Sequence, residues 1–466
     1  MSAVASAKAG PTRLTSVRGL RRWFLKGATQ TRLAWLNGSP TFAEVASFPR
    51  PVSKIPFRWW VVALLFCLTA LSYLDRQTLS VLSPQLREKF GYSSVQYSYV
   101  VTSFLVAYTL GYCFSGTLVD RWGVKIAVAA ALGVWSLAGL SHALVAGWIG
   151  LAVCRFVLGL GESFTAPCGV KAIAEWVPPR ERGLSMAVYS IGNLAGAVLA
   201  PPLVAFTALR FGWKAGFLVT GALGFIYIVF WLRIYRSPDA EETLHARAGA
   251  PEAAKKSISL WTAFSHPLCR GFFIARFLTD SISYFFTFWL PEYLHTSRGF
   301  SLAMIGIFGS IPFLASGIGG PGGGALSDLL VRRGWNPATA RRRMMLIAAC
   351  AMPLAVVAVH VGSAGLAIAI IAVLMASQSC WLANILTLMS ETFPREHLAT
   401  YAAVTGIGGG LGGIITTLLA GQIIHAVGYV PVFTGLGFLH LTALLFLRFG
   451  LGKSAGAGGA RGPKRA

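Results

Sequence analysis

The stretch LSYLDRQTLSVLSP, residues 71–84, continues an apolar run that begins at Trp59. Asp75 and Arg76 stand side by side near the middle of this run. An ionised side chain inside a membrane is costly, so it normally faces a polar cavity or a partner and carries function. The stretch therefore predicts a membrane-spanning helix with two functional charges in it.

The composition of the whole chain agrees with this interpretation. The chain has 466 residues, of which 55% are hydrophobic and 12% are charged. A soluble domain usually has about a quarter of its residues charged. Apolar runs of about 20 residues recur, and each can cross a hydrocarbon core about 30 Å thick as a helix. We predict an all-α, multi-pass protein of the cell membrane with lipid around it.

Twelve apolar segments alternate with short polar loops along the chain. They are 59–83, 95–117, 125–146, 148–170, 184–208, 214–235, 267–290, 302–323, 343–362, 364–389, 400–424 and 430–450. Each is predicted to be a transmembrane helix.

The polar stretches divide the chain into five parts. We predict a poorly ordered basic extension over 1–57, a six-helix bundle over 58–236, a cytoplasmic linker over 237–264, a second bundle over 265–450 and a basic tail over 451–466. For the extension, three other interpretations stay open: a membrane-surface helix around RGLRRWFLKG, an organelle transit sequence, and a gene start placed too early.

Two pairs of similar loops indicate an internal repeat. GTLVDRWGVK follows the second segment and GALSDLLVRR follows the eighth, while EWVPPRER follows the fourth and ETFPREH the tenth. The two pairs are similarly spaced, which predicts that the second six helices repeat the first.

The net charge of +24 is a topology signal. Most basic loop residues fall on one side of the predicted membrane, which the positive-inside rule makes cytoplasmic. Both termini lie on that side. We therefore expect no nucleic-acid partner, although so basic a soluble protein would suggest one.

Buried charges mark the candidate functional residues. Arg155 and Glu162 in the fourth segment are seven residues apart and share a helix face. Arg276 and Asp280 in the seventh are four apart and can pair directly, as a structural or a functional ion pair. Three charges are predicted to lie in loops and to latch helix ends: Asp120, Arg121 and Asp328.

Polar side chains in other segments are less specific. Tyr108, Asn193, Gln378, Trp381 and Asn384 could line a cavity, but each alone is typical of helix packing. The seven Cys residues are scattered and form no CxxC pair, and no His/Cys cluster suggests a metal. We expect no metal and no cofactor apart from a coupling proton.

The loop GTLVDRWGVK resembles a motif of the major facilitator superfamily. Val124 and Ile126 replace two usually basic residues of that motif, while Lys125 is retained. SYLDRQTLSVLSP, CRFVLGLGE, KAIAEWVPPRERGLSMAVY, FWLPEYL, RGFSLAMIGIFGSIPF, SQSCWLANILTL and TGIGGGLGGI resemble the anion:cation symporter family, especially its bacterial hexuronate and sugar-acid transporters. The likeness runs from about Trp59 to Gly450.

The resemblance implies a proton-coupled importer of a sugar acid, acting as a monomer and not as an enzyme. It places the substrate carboxylate on Arg76, with Tyr73 and Tyr108 beside it. Asp75 and Glu162 would carry the proton, and Arg155 would pair with Glu162. Contacts to the sugar would come from Asn193, Gln378, Trp381 and Asn384. Galactonate-type relatives place an Asn in the eleventh segment, where this chain has Thr405 and Gly406, so the hexuronate branch is favoured.

Physical chemistry supports a coupled mechanism. An entering anion works against the membrane potential by about 2.3 kcal/mol per charge per 100 mV, which a co-transported proton cancels. We expect protonation of Glu162 to weaken its hold on Arg155, and substrate on Arg76 to draw Trp381 and Asn384 across the cavity. Sodium coupling, an inorganic or other organic anion, and a non-transporting membrane sensor stay open. An intramembrane enzyme would need a nucleophile and base or a metal motif, which we do not find.

Overall fold

The computed structural model describes residues 56–239, 258–394 and 397–457, and it is helical almost throughout. Fifteen helices are found in these ranges. The first six are α1 Phe57–Phe90, α2 Ser94–Ser141, α3 Trp148–Glu162, α4 Thr165–Trp176, α5 Arg182–Phe211 and α6 Trp213–Ile234. The others are α7 Leu260–Ser265, α8 Pro267–Arg298, α9 Leu302–Phe308, α10 Ile311–Arg332, α11 Pro337–Ala351, α12 Leu354–His360, α13 Ala364–Thr392, α14 Leu398–Val427 and α15 Tyr429–Ala457.

All twelve predicted segments are helical. The fourth, eighth and ninth are each built from two helices separated by a short break, as α3–α4, α9–α10 and α11–α12. By length and composition, ten helical stretches of the described chain are long and apolar enough to span a membrane. One of the ten is the run Ser94–Leu144, which contains both the second and the third predicted segments. The remaining segment is the more polar α8, whose 32 residues extend about 48 Å.

The second and third segments are joined without a loop. Gly123 (φ 75°, ψ 159°) is the one non-helical residue inside α2. Asp120 and Arg121 therefore lie in the helical turn before this bend, and not in a loop as the sequence predicts. Asp328 is likewise in the last turns of α10. Helical backbone reaches Asp120 and Arg121 because a single residue with positive φ, Gly123, turns the chain without a loop.

Capping residues explain where several helices begin. Ser93 and Gln96 form a capping box at the start of α2, and the side chain of Ser301 caps α9. Asn336 caps α11, which has Pro at its first position. These caps satisfy the backbone N–H groups that a helix leaves without partners at its N-terminus.

Small residues let the helices approach closely. On α5, a Cβ atom at Gly192 would overlap Thr69 and the carbonyl group of Phe66, both on α1. Such contacts between a glycine and a facing backbone are typical of helix pairs in membranes.

Side-chain hydrogen bonds join the two six-helix halves at one end. The Tyr97 hydroxyl donates to the Phe288 carbonyl at 2.7 Å, and the Ser80 hydroxyl donates to the same carbonyl at 2.9 Å. Nearby, Glu292 of α8 accepts from Ser83 at 2.5 Å and from Arg87 at 2.7 Å, both on α1. These residues are remote from the predicted cytoplasmic ends of α1 and α8, so the two halves are in contact at the predicted outer face.

Some predictions lie outside the described residues. They concern nearly all of the extension, residues 240–257 of the linker and the last nine residues of the tail. The structure does show that the last helix, α15, continues past residue 450 to Ala457.

Candidate substrate and proton site

A buried ion pair between two helices is the centre of the site. The Nε atom of Arg76 on α1 donates to Oε2 of Glu162, the last residue of α3, at 2.6 Å. The side chains are 9% and 0% exposed. Ser72 donates to the same oxygen at 2.8 Å, whereas Oε1 of Glu162 is buried without a hydrogen-bond partner in the described chain. The Glu162 carboxylate therefore binds the guanidinium through Oε2, and its Oε1 atom makes no hydrogen bond within the described chain.

Aromatic rings enclose the rest of Arg76. Its guanidinium carbon lies 4.9 Å from the ring centroid of Tyr73, 5.1 Å from that of Phe104 and 4.6 Å from that of Tyr108. Cation–π attraction holds a guanidinium in such a position. The Tyr108 hydroxyl also forms a 2.7 Å hydrogen bond with the Tyr112 hydroxyl. The sequence analysis missed Phe104 and Tyr112, although their i, i+4 spacing from Tyr108 signals a shared face.

The predicted pairing of Arg155 with Glu162 is not a direct salt bridge in this structure, although the two charges attract each other at longer range. The Nη2 atom of Arg155 donates to the backbone carbonyl of Asp75 at 3.3 Å, and its Nε and Nη1 atoms have no partner among the described residues. Seven residues of helix separate Arg155 from Glu162 by about 10 Å along the axis. Arg76 reaches Glu162 from the neighbouring α1 instead.

Asp75 points away from Arg76, as its neighbouring position on the helix predicts. It is buried, and its side chain lies near Thr220 of α6 and Trp135 of α2. The two adjacent charges of α1 thus lie in different surroundings. Arg76 is enclosed by aromatic rings, whereas Asp75 lies in the interior of the first six helices.

The predicted residues of α13 are packed within the second six helices. Gln378 donates to the Ser283 hydroxyl at 3.0 Å, and the Trp381 indole donates to the Thr279 hydroxyl at 3.1 Å. Asn384 donates to the backbone carbonyl of Cys380 at 2.9 Å. All three side chains are buried, and these bonds stay within the second half. Their contact with substrate stays a prediction, as does that of the half-buried Asn193 on α5.

The two acids assigned to latches each pair within their own half. Asp120 accepts from Lys171 at 2.8 Å, and Asp328 lies 2.6 Å from Arg341. Arg121 is exposed. Arg276 and Asp280 do form the predicted direct pair, with a shortest N···O distance of 2.7 Å.

Glu292 is the functional candidate that the sequence analysis missed. Its carboxylate is buried where α8 meets α1, and it accepts the bonds from Ser83 and Arg87 described above. We call these three residues the outer latch. The acid in FWLPEYL was the available signal, but Glu292 lies just beyond the predicted seventh segment, 267–290, and so is not among the charges inside apolar segments.

A metal site is not indicated. The described residues contain no group of three or more His, Cys, Asp or Glu side chains arranged to hold an ion. The polar chemistry of the site consists of guanidinium, carboxylate, hydroxyl and indole groups.

Comparisons with known proteins agree with the fold and point to one class of cargo. The family model described as Major Facilitator Superfamily matches residues 65–340, more than half of the chain. The hexuronate transporter of Escherichia coli K12 is 29% identical over 407 residues, which cover 84% of this chain and 93% of that protein. The galacturonate transporter of Dickeya chrysanthemi is 31% identical over 272 residues, which cover 56% of this chain and 79% of that protein. Among solved structures, a D-xylose–proton symporter matches with a TM-score of 0.67 at 16% identity, covering 84% of this chain and 97% of that one, which supports the fold.

Proposed function

The chain belongs to the Major Facilitator Superfamily, and we propose that it imports a sugar acid, a hexuronate or a related carboxylate, by proton symport with alternating access. The names of its relatives support the cargo class: one relative described above is a hexuronate transporter, and the other is a transporter of the hexuronate galacturonate. The ion pair between Arg76 and Glu162 is the observation that supports coupling of the proton to the cargo.

Arg76 is suited to hold the carboxylate of the cargo. Arginine stays protonated and offers a planar fork that matches a carboxylate. The hydrogen bond to Glu162 comes from its Nε atom. The cargo would approach the outer nitrogens between Tyr73 and Tyr108, and it would compete with Glu162 for the same cation.

Charge balance gives a physical reason for taking up a proton. Two arginines, Arg76 and Arg155, and two acids, Asp75 and Glu162, carry no net charge together when all are ionised. A bound monoanion adds one negative charge to a buried region, where an uncompensated charge is costly. One proton on either acid restores neutrality, which favours one proton per carboxylate.

The order of events follows from the pairing that the structure reveals. We expect protonation of Glu162 to loosen its hold on Arg76, not on Arg155, so that the cargo can take the guanidinium. Loss of the proton to the cytoplasm restores the Arg76–Glu162 pair and displaces the cargo. The closed outer latch fits the stage at which the site faces inward.

Uptake into proteoliposomes tests this proposal. The panel is glucuronate, galacturonate, galactonate, glucarate, phosphate and citrate, each with and without an inwardly directed proton gradient. We expect one or more sugar acids to accumulate only with the gradient. Uptake of phosphate or citrate alone, or no uptake of any compound into tight vesicles, would contradict the proposal.

A further inference from the structure

A second buried pair of arginine and carboxylate lies on α8, in the other half of the molecule. The Nε and Nη2 atoms of Arg276 both donate to Oδ2 of Asp280, at 3.0 and 2.7 Å. Asp280 is only 8% exposed, and its Oδ1 atom has no hydrogen-bond partner among the described residues. Buried oxygens without a partner are rare in folded proteins, so this one needs an explanation.

The facing helix makes room for this pair. Gly406, Gly409 and Gly413 of α14 recur at helical spacing and face Arg276, Asp280 and Tyr284 of α8 in the same order. A Cβ atom at Gly409 would overlap Oδ2 of Asp280, and one at Gly413 would overlap the ring of Tyr284. At Gly406 it would lie 3.6 Å from Nη1 of Arg276. We call Arg276, Asp280 and Tyr284 the α8 stripe.

The α8 stripe leads to the central site. Tyr284 stacks on Phe288 with ring centroids 6.5 Å apart, Phe288 lies 6.3 Å from Phe104, and Phe104 lies 5.1 Å from the Arg76 guanidinium. Tyr284 also lies near Tyr108 and Asp280. Asp280 is one helical turn, about 6 Å, from Tyr284 towards the predicted cytoplasmic end.

The two halves thus contribute matching ion pairs. Each pair consists of an arginine and a buried carboxylate that keeps one oxygen without a partner, Oε1 of Glu162 and Oδ1 of Asp280. Arg76 alone satisfies a cargo with one carboxylate. A cargo with a carboxylate at each end could use an arginine from each half.

We propose that Arg276 forms a second carboxylate-binding subsite, so that the transporter accepts a six-carbon sugar diacid with one carboxylate on Arg76 and the other on Arg276. This inference rests on the proposed function, since it assigns the far end of the same cargo. Asp280 takes the part on α8 that Glu162 takes in the first half: it holds the arginine until a carboxylate replaces it.

Glucarate and glucuronate form the matched pair of ligands that tests the subsite. They share their six carbons and stereochemistry, but C1 is a carboxylate in open-chain glucarate and the hemiacetal carbon of the pyranose ring in glucuronate, so each ligand is compared between variants. Affinities are measured by calorimetry on the purified full chain. We expect wild-type protein to bind both, Arg276→Gln to weaken glucarate at least tenfold, and glucuronate to stay within twofold.

Two further variants separate binding from folding. Arg276→Gln with Asp280→Asn leaves no unpaired charge in the helix, and it should show the same selective loss of glucarate. Arg58→Gln is the matched control, because Arg58 pairs with Glu181 at 2.8 Å within the first half and away from the stripe. It should leave both affinities unchanged.

The other outcomes overturn the inference in distinguishable ways. Wild-type protein that binds glucuronate but not glucarate would overturn the second subsite and leave the proposed function intact. Equal loss of affinity for both ligands in Arg276→Gln would mean that Arg276 and Asp280 form a structural ion pair, or that a monoacid also binds Arg276. No loss of either would remove Arg276 from binding altogether. Wild-type protein that binds neither ligand would overturn the proposed function and the subsite together.

Discussion

In the proposed mechanism, individual residues couple the proton to the cargo, and Glu162 is the first residue to substitute. Glu162→Gln imitates the protonated acid, and its amide oxygen can still accept from Arg76 and Ser72. We expect binding and exchange of labelled substrate to survive, while accumulation driven by a proton gradient is lost. Both are measured in proteoliposomes.

Ser72→Ala is the matched control for this change. It removes one hydrogen bond to the same carboxylate oxygen but keeps the titratable group. Gradient-driven accumulation should continue in this variant. If Glu162→Gln also concentrated substrate, Glu162 would not be the coupling acid.

Arg76→Lys tests recognition of the carboxylate. A lysine ammonium keeps the charge but lacks the fork and the planar face that stacks on Tyr73 and Tyr108. We expect substrate affinity to fall at least tenfold, about 1.4 kcal/mol. Unchanged affinity would exclude Arg76 from the site, and Arg58→Lys is the control for an arginine outside it.

The sequence was sufficient to find the buried charges but not their partners. Asp75, Arg76, Arg155 and Glu162 stand out because ionised residues are rare in apolar segments. Spacing along one helix suggested Arg155 for Glu162, whereas the partner comes from α1. Contacts between helices depend on how the helices are rotated and offset, which a single sequence does not reveal.

At the scale of helices, close approach through glycine makes a stability prediction. Gly192→Ala places a methyl group against Thr69 and the Phe66 carbonyl, so α1 and α5 must separate. Overpacking of this kind costs about 1–3 kcal/mol. We expect a clearly lower thermal unfolding temperature in detergent.

Gly116→Ala is the control, because a Cβ atom at that position meets nothing within 4 Å. It should leave the unfolding temperature the same or slightly higher, since alanine favours helix more than glycine does. Equal effects of the two substitutions would show that the tight contact between α1 and α5 does not limit stability.

Helix positions were predictable because each apolar segment must cross the same thickness of membrane. The breaks inside the fourth, eighth and ninth segments were not, and neither was the continuity of α2. A stretch with charged residues and glycines such as GTLVDRWGVK has the same sequence pattern whether it forms a turn between two helices or the joined ends of both. Only the backbone of Gly123 decides between them.

For the molecule as a whole, the outer latch predicts a shift between conformations. Glu292→Gln keeps the size of the side chain and a bond to Ser83 but loses the charge that pairs with Arg87. We expect the outer ends of α1 and α8 to separate in a larger fraction of molecules. Spin labels at Lys89 and Ser297, on protein whose seven cysteines are replaced, report this distance.

The control is Lys171→Gln, which breaks an ion pair within the first half. It should leave the distance distribution unchanged. An unchanged distribution in Glu292→Gln as well would mean that the latch does not hold the outer face closed.

The twelve-helix architecture could be predicted from repeated loops and apolar runs. The face at which the two halves are in contact could not. The proposed alternating access requires one sequence to form both faces in turn. The structure shows one arrangement, in which Ser80 and Tyr97 donate to the Phe288 carbonyl.

The bend at Gly123 has a consequence for changes in chain length. One residue added on either side of it would turn the remainder of α2 by about 100° and advance it by about 1.5 Å. Trp135 would then swing away from Asp75, and Gly139 would lose its contact with Gly221 of α6. Insertions and deletions are ordinarily tolerated between membrane helices. At the bend at Gly123 we expect the number of residues to be fixed. An epitope tag inserted there should abolish folding, whereas a substitution there should not.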